Sequence, residues 1–135
     1  RYADVLVMIA VTYIFQDQYS QALPYINQVR RRVGAVEYTS APSSFSEAFE
    51  ILKKERHLEL VGEQHRWFDL KRWHMADKSS SSGFSMVDEI NADRALDTKN
   101  NPGNMAERYV YLPIPINEIQ NNPKLDNSLN FPNWN

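Results

Sequence analysis

Between Phe45 and Glu63 an apolar helical stripe runs on into charged residues without changing its period. Phe45, Ala48, Phe49 and Leu52 share one helix face, and further steps of four and three reach Arg56, Glu59 and Glu63. Charges at inward positions need partners, because an uncompensated buried charge costs several kcal/mol. Glu59 and Glu63 lie one turn apart and repel each other unless a cation serves both; Arg66, just past Gly62, is the candidate. Beyond the break, Arg66 and Asp69 are i, i+3, as are Asp69 and Arg72. Trp67, Leu70 and His74 form an apolar-aromatic strip with Trp73 beside it and somewhat more open, and Phe68 and Met75 extend the cover on the other side. The pattern predicts two helices joined by a buried Arg–Glu–Arg–Asp network and wedged by Trp67 and Phe68.

The flanking segments are predicted to be mostly helical. Val5 to Val11 is an unbroken apolar run, too short to cross a bilayer, which takes about 20 residues. Without internal Gly or Pro it favours a helix from Arg1 to Phe15, with a strand as the competing reading. Tyr2, Val5, Leu6, Ile9 and Tyr13 mark one face and Val7, Val11 and Ile14 another, so the helix should be buried all round. Ser20 is the expected cap of a second helix, with Pro24 in its first turn and Ala22, Ile26, Val29 and Val33 on its inner face. Arg30, Arg31 and Arg32 complement its carboxy-terminal dipole as solvated cations, and Gly34 ends it. With the short Gln16–Tyr19 link, these two form a helix hairpin. Ser44 with Glu47 reads as a capping box opening the third helix, which continues to about Val61. A fourth helix is expected over His65 to Ala76.

Organisation then changes. Residues 1–78 read as helical, 79–108 as a linker or variable loop opening on Ser79 to Ser82, and 109–135 as an extended closing segment. Asn101-Pro102-Gly103 is a turn signal, Tyr109 to Leu112 a short strand, and Pro113 and Pro115 force extended backbone. Asn117 is the expected cap of one helical turn, and the tail from Asn121, with Trp134, is expected to be irregular. The sequence opens on Arg1 inside a helical pattern, so it reads as part of a longer chain whose targeting signal lies upstream. Its first helix should then leave bare an apolar patch that the remainder covers.

Several chemistries find little support. The net charge of −2 offers no basic footprint for nucleic acid, and the absence of cysteine removes disulfides, thiolate nucleophiles and thiolate metal sites. Glu55, Glu59 and Glu63 could form a carboxylate ladder for glycoside hydrolysis, but such pairs normally face a cleft from separate elements, and here arginines stand at hand. His65 and Asp69 at i, i+4, with Glu63 or His57 near, could hold a metal, but no HExxH accompanies them. No cofactor motif, nucleophile elbow or phosphate loop is present. Tryptophans can stack on sugar rings, but Trp67 lies in the strip expected to be core.

The run from Glu55 to Trp73, ERHLELVGEQHRWFDLKRW, resembles the signature of the SusD/RagB family, in which an ER-x-x-EL helix leads through a Glu to RWFDL-x-RW. Its matching positions are Glu55, Arg56, Glu59, Glu63, Arg66, Trp67, Phe68, Asp69, Arg72 and Trp73. Arg1 to Leu6, Ile26 to Arg30 with Arg32 and Gly34, and Leu112 to Pro115 with Glu118, Ile119, Asn122 and Pro123 resemble other family segments, in the family's order. Ile9 to Thr12 depart from the family's YAEA, so one helix-pairing glutamate is absent. The resemblance implies the carboxy-terminal part of a mainly α fold of tetratricopeptide-like helix pairs, with an irregular tail holding one short extended segment. It implies an outer-membrane lipoprotein on the cell surface of a Gram-negative bacterium, anchored by lipid outside these residues. Such a protein binds an oligosaccharide or other nutrient without chemistry and passes it to a SusC-type TonB-dependent transporter. The residues alone leave two other readings open: a helical interaction module without a ligand, and a glycoside hydrolase. No ligand-binding residue carries over from the family to this chain.

Overall fold

A computed structural model describes residues 1–97, 99, 103–111, 114–122 and 124–125. It is mainly helical and divides into two compact units, Arg1–Phe84 and Ser85–Asn135.

In the first unit, α1 (Tyr2–Phe15) and α2 (Tyr19–Arg32) form the expected hairpin. Helix, not strand, is the outcome for the apolar run. Ala3, Leu6, Val7, Ala10 and Ile14 of α1 are buried, and α2 packs Ala22, Ile26 and Val29 against them. The hairpin and α3 (Phe45–Glu59) cover one side of α1 only. Tyr2, Val5 and Met8 remain exposed, so α1 is not buried all round within these residues and carries the bare apolar stripe expected of it. Asp17 turns the chain with a left-handed backbone (φ 60°), which aspartate tolerates. Its carboxylate takes Lys78 Nζ at 2.6 Å, and the same ammonium donates to the Phe15 carbonyl at 3.0 Å, a cation on the negative end of α1. The Lys78 and Tyr19 hydrogen bonds hold the Asp17 carboxyl below its ordinary pKa.

The second helix starts earlier than expected. Gln18, not Ser20, is its N-cap, which leaves Pro24 beyond the first turn, where its missing N–H removes the bond to the Ser20 carbonyl. Ser20 is exposed. Gly34 ends α2 at φ 71°: its N–H reaches the Arg31 carbonyl (3.2 Å) and that of Ala35 the Arg30 carbonyl (2.9 Å), a Schellman closure. The following loop is tied back by Asn27, whose amide exchanges two hydrogen bonds with the Tyr38 backbone, at 2.8 and 2.9 Å.

Ser44 caps α3 by accepting from the Glu47 N–H at 3.2 Å. Glu47 reaches back one residue further than a capping box requires, accepting from Ser43 N at 2.8 Å and Ser43 Oγ at 2.9 Å, and these bonds hold its carboxyl below the usual range. The helix stops at Glu59, and Gly62 and Gln64 both adopt left-handed backbone before α4 (His65–His74). A cluster of Phe15, Phe45, Phe49, Trp73 and Phe84 fills the space between α1, α3 and α4, its T-shaped pairs having centroids 5.3–6.4 Å apart. Such edge-to-face pairs each add about 0.5–1.5 kcal/mol beyond their buried area.

The serine run is not a linker. Ser79 to Ser81 lie in α5 (Asp77–Ser81), and Ser79 is wholly buried because its hydroxyl donates to the Trp73 carbonyl, and to that of Ala76 at 3.1 Å. In the second unit Ser85 caps α6 (Met86–Leu96), so 79–108 is also not a single loop. Asn91 pairs its amide with the Met105 backbone, at 2.6 and 3.1 Å. Tyr109 and Val110 lie in a 3-10 turn (Glu107–Val110) rather than a strand, and extended backbone appears at Tyr111 (φ −116°, ψ 147°). Pro115, not Asn117, is the N-cap of α7 (Ile116–Asn121). Asn101, Pro102, Leu112, Pro113, Pro123 and the tail with Trp134 lie outside the described residues.

Candidate functional site

The charged end of α3 is the densest polar feature of the first unit. Arg56, 4% exposed, donates from Nε to Asp69 Oδ2 of α4 at 2.7 Å and from Nη1 to Asp4 Oδ1 of α1 at 3.2 Å. Asp69 Oδ1 takes Arg72 Nη2 at 3.0 Å. One buried guanidinium therefore ties three helices, as its inward position on the stripe demands.

The glutamates of α3 bind elsewhere than expected. Glu59 accepts from Arg1 Nη1 at 2.5 Å and from Arg32 Nη2 at 2.7 and 2.8 Å. Arg1 also meets Glu63 Oε1 at 2.5 Å, so Arg1 is the shared cation that Arg66 was expected to supply. Glu55, 5% exposed, accepts from Arg30, whose guanidinium lies 4.4 Å over the Tyr38 ring; Tyr38 OH bonds Glu55 at 3.3 Å. Burial, more than the Glu55 charge, pushes the Tyr38 phenol pKa up. The arginine run ending α2 is thus not simply solvated: Arg30 and Arg32 clamp α2 onto α3, and Arg31 pairs with Glu37 at 2.7 Å on the surface. Sequence reasoning missed Arg1, Asp4, Arg30, Arg32 and Tyr38 as members of this brace.

The aromatic residues of the block are reversed. Trp73 is 1% exposed, against Phe49 and Phe84, whereas Trp67 is 42% and Phe68 70% exposed. The inner face of α4 is Asp69, Leu70 and Trp73, so Trp67 and Phe68 do not wedge the helices. The reason is the Arg56–Asp69 bond: once Asp69 must face α3, Leu70 and Trp73 follow at i+1 and i+4, and Trp67 is turned outward.

This geometry suits bracing. Each of Glu55, Glu59 and Glu63 is engaged with an arginine; Glu55 and Glu59 lie on α3 and Glu63 in the turn that follows it. Among the described residues no three of His, Asp and Glu cluster closely enough to hold a metal ion. No described helix is long and apolar enough to cross a membrane. A cavity of about 230 Å³ lies where α3 gives way to α4, bordered by Arg56, Leu60, Gln64, Arg66, Asp69 and Trp73 among others.

The same elements occur in known proteins. The chain matches the family model described as the SusD family over residues 1–134. It is 32% identical over 127 residues to "SusD-like protein P25" of Formosa agariphila, covering 93% of this chain and 22% of that protein. The crystal structure of a SusD superfamily protein from Bacteroides vulgatus ATCC 8482 superposes with a TM-score of 0.59 at 30% identity, over 91% of this chain and 25% of that one. The chain thus spans about a quarter or less of the length of these relatives. With a match along nearly its full length, this chain belongs to the SusD family.

Proposed function

We propose that this chain is part of a cell-surface nutrient-binding protein of the outer membrane that acts by binding alone. Its ligand is an oligosaccharide, delivered to a SusC-type TonB-dependent transporter, and its membrane attachment is a lipid outside these residues. The observation that carries the reading is the family match over residues 1–134. The disposition of the carboxylates supports binding over hydrolysis, since the three glutamates of the block hold helices together.

The test uses the protein as the cell makes it, purified with whatever membrane partner accompanies it. Retention on immobilised bacterial or plant polysaccharide without release of reducing ends, together with co-purification of a barrel transporter, is the expected result. Release of reducing ends that Glu59→Gln abolishes while the fold survives would replace this reading with a hydrolase. Absence of both glycan retention and a barrel partner would leave the helical interaction module as the better account.

A further inference from the structure

The turn from α3 to α4 leaves a cavity beside it. Gly62 (φ 79°) and Gln64 (φ 62°) both take left-handed backbone there, a conformation that a residue such as Gln64 adopts uncommonly. Strained non-glycine residues concentrate at ligand sites. The volume of about 230 Å³ falls short of the roughly 300–1,000 Å³ of sites for drug-sized molecules, and far exceeds the roughly 10–15 Å³ that one water needs. One small ring fits that range. The charged neighbours of the cavity are engaged within the fold: Arg56 by Asp69 and Asp4, Asp69 by Arg56 and Arg72, and Arg66 by a partner of its own. The ligand that suits the space is therefore neutral. Leu60 and Val61 give it an apolar wall, while His57 and Gln64, both exposed, bring an imidazole and an amide to its border. The Gln64 side chain makes no capping bond to α4.

We propose that this cavity binds one neutral sugar ring of the nutrient glycan, its C–H face on Leu60 and Val61 and its hydroxyls on the Gln64 amide and the His57 imidazole. A sugar hydroxyl both donates and accepts, and so do an amide and a neutral imidazole. An apolar ligand would leave those two groups unused, and an ionic one would need a charge that the brace already holds. The assignment rests on the reading of this protein as a glycan binder, and adds to it a subsite with named residues.

The experiment uses the full-length protein with isotope-labelled leucine and valine methyls. It follows the Leu60 and Val61 methyl resonances, assigned through Leu60→Ile and Val61→Ile. The probes are the methyl glycosides of glucose, galactose, mannose and xylose, with sodium acetate as the ionic control. The expected result is a saturable shift with at least one glycoside and none with acetate. Gln64→Gly removes the amide and suits the left-handed backbone, so the fold should survive while the affinity falls by about three- to tenfold. Polysaccharide retention with both methyls unmoved by every glycoside overturns the proposal and leaves the proposed function standing. Loss of all glycan retention overturns both. An unchanged affinity in Gln64→Gly, or an equal shift with acetate, also overturns the subsite.

Discussion

Replacing Arg56 with methionine separates a buried brace from a decorative ion pair. Methionine keeps much of the stem volume and removes the charge. Asp69 would retain Arg72 at 3.0 Å, a partner whose side chain is 51% exposed and so holds it weakly. Asp4, with its side chain 17% exposed, would lose its bond to Arg56. Removing one member of a buried pair costs about 3–5 kcal/mol. The residual Arg72 contact and the partial hydration of Asp4 place this case at about 2–3 kcal/mol. A domain with roughly 5–15 kcal/mol of stability would still fold. In urea, with a slope of about 1–3 kcal/mol per molar, the midpoint should fall by about 0.7–3 M. The assay is urea unfolding followed by circular dichroism, wild type beside Arg56→Met. Adding Asp69→Leu should recover part of the loss, because it removes a carboxylate that the first change left poorly paired. A midpoint for Arg56→Met indistinguishable from wild type, or strict additivity in the double variant, would refute the claim that the pair is buried and coupled.

Other expectations use the same unfolding measurement. Trp73→Ala should cost about 3–5 kcal/mol, whereas Trp67→Ala should stay within about 1 kcal/mol; similar losses would mean that the inner face of α4 is wrongly assigned. Ser44→Ala should lower stability by about 1 kcal/mol, while Ser20→Ala, which removes no cap, should leave it nearly unchanged. Acid should also destabilise the fold through Asp17, Glu37 and Glu47, whose pKa values lie below the ordinary 3.8, 4.5 and 4.5. Groups depressed on folding contribute fully above their unfolded pKa and lose that contribution as pH falls through the folded one. Melting temperature should therefore hold level from neutral pH to about 5 and then decline, and Glu47→Gln should make the decline shallower; a decline already complete at pH 6 would contradict the assignment.

Local chemistry made several elements legible before any coordinates. Ser44 and Glu47 mark the start of α3 because capping is settled within four residues. Gly34 marks the end of α2 because the left-handed turn there favours a residue without a side chain. The unbroken apolar run of α1 could be read as a helix from its length and lack of breakers. Ser20 failed as a cap because α2 begins at Tyr19, and local propensity there yields to how the hairpin packs. The serine run looked solvent-loving by composition, yet Ser79 is buried once its hydroxyl finds the Trp73 and Ala76 carbonyls.

The letters of the chain alone decide that Arg56 and Glu59 cannot be left bare, because an apolar stripe carries them inward and unpaired charges there are too costly. They also carry the family, since the block from Glu55 to Trp73 is contiguous and its residues need no spatial neighbour to be read. Only the packed chain decides which partner answers each charge. Arg1 and Arg32 reach Glu59 across 58 and 27 residues of sequence, and Arg30 reaches Glu55 across 25. No helical period links residues so far apart. The same long-range choice turns α4 so that Trp73 is buried and Trp67 faces out: the bond from Arg56 sets the rotation of the helix, and the aromatic rings follow it.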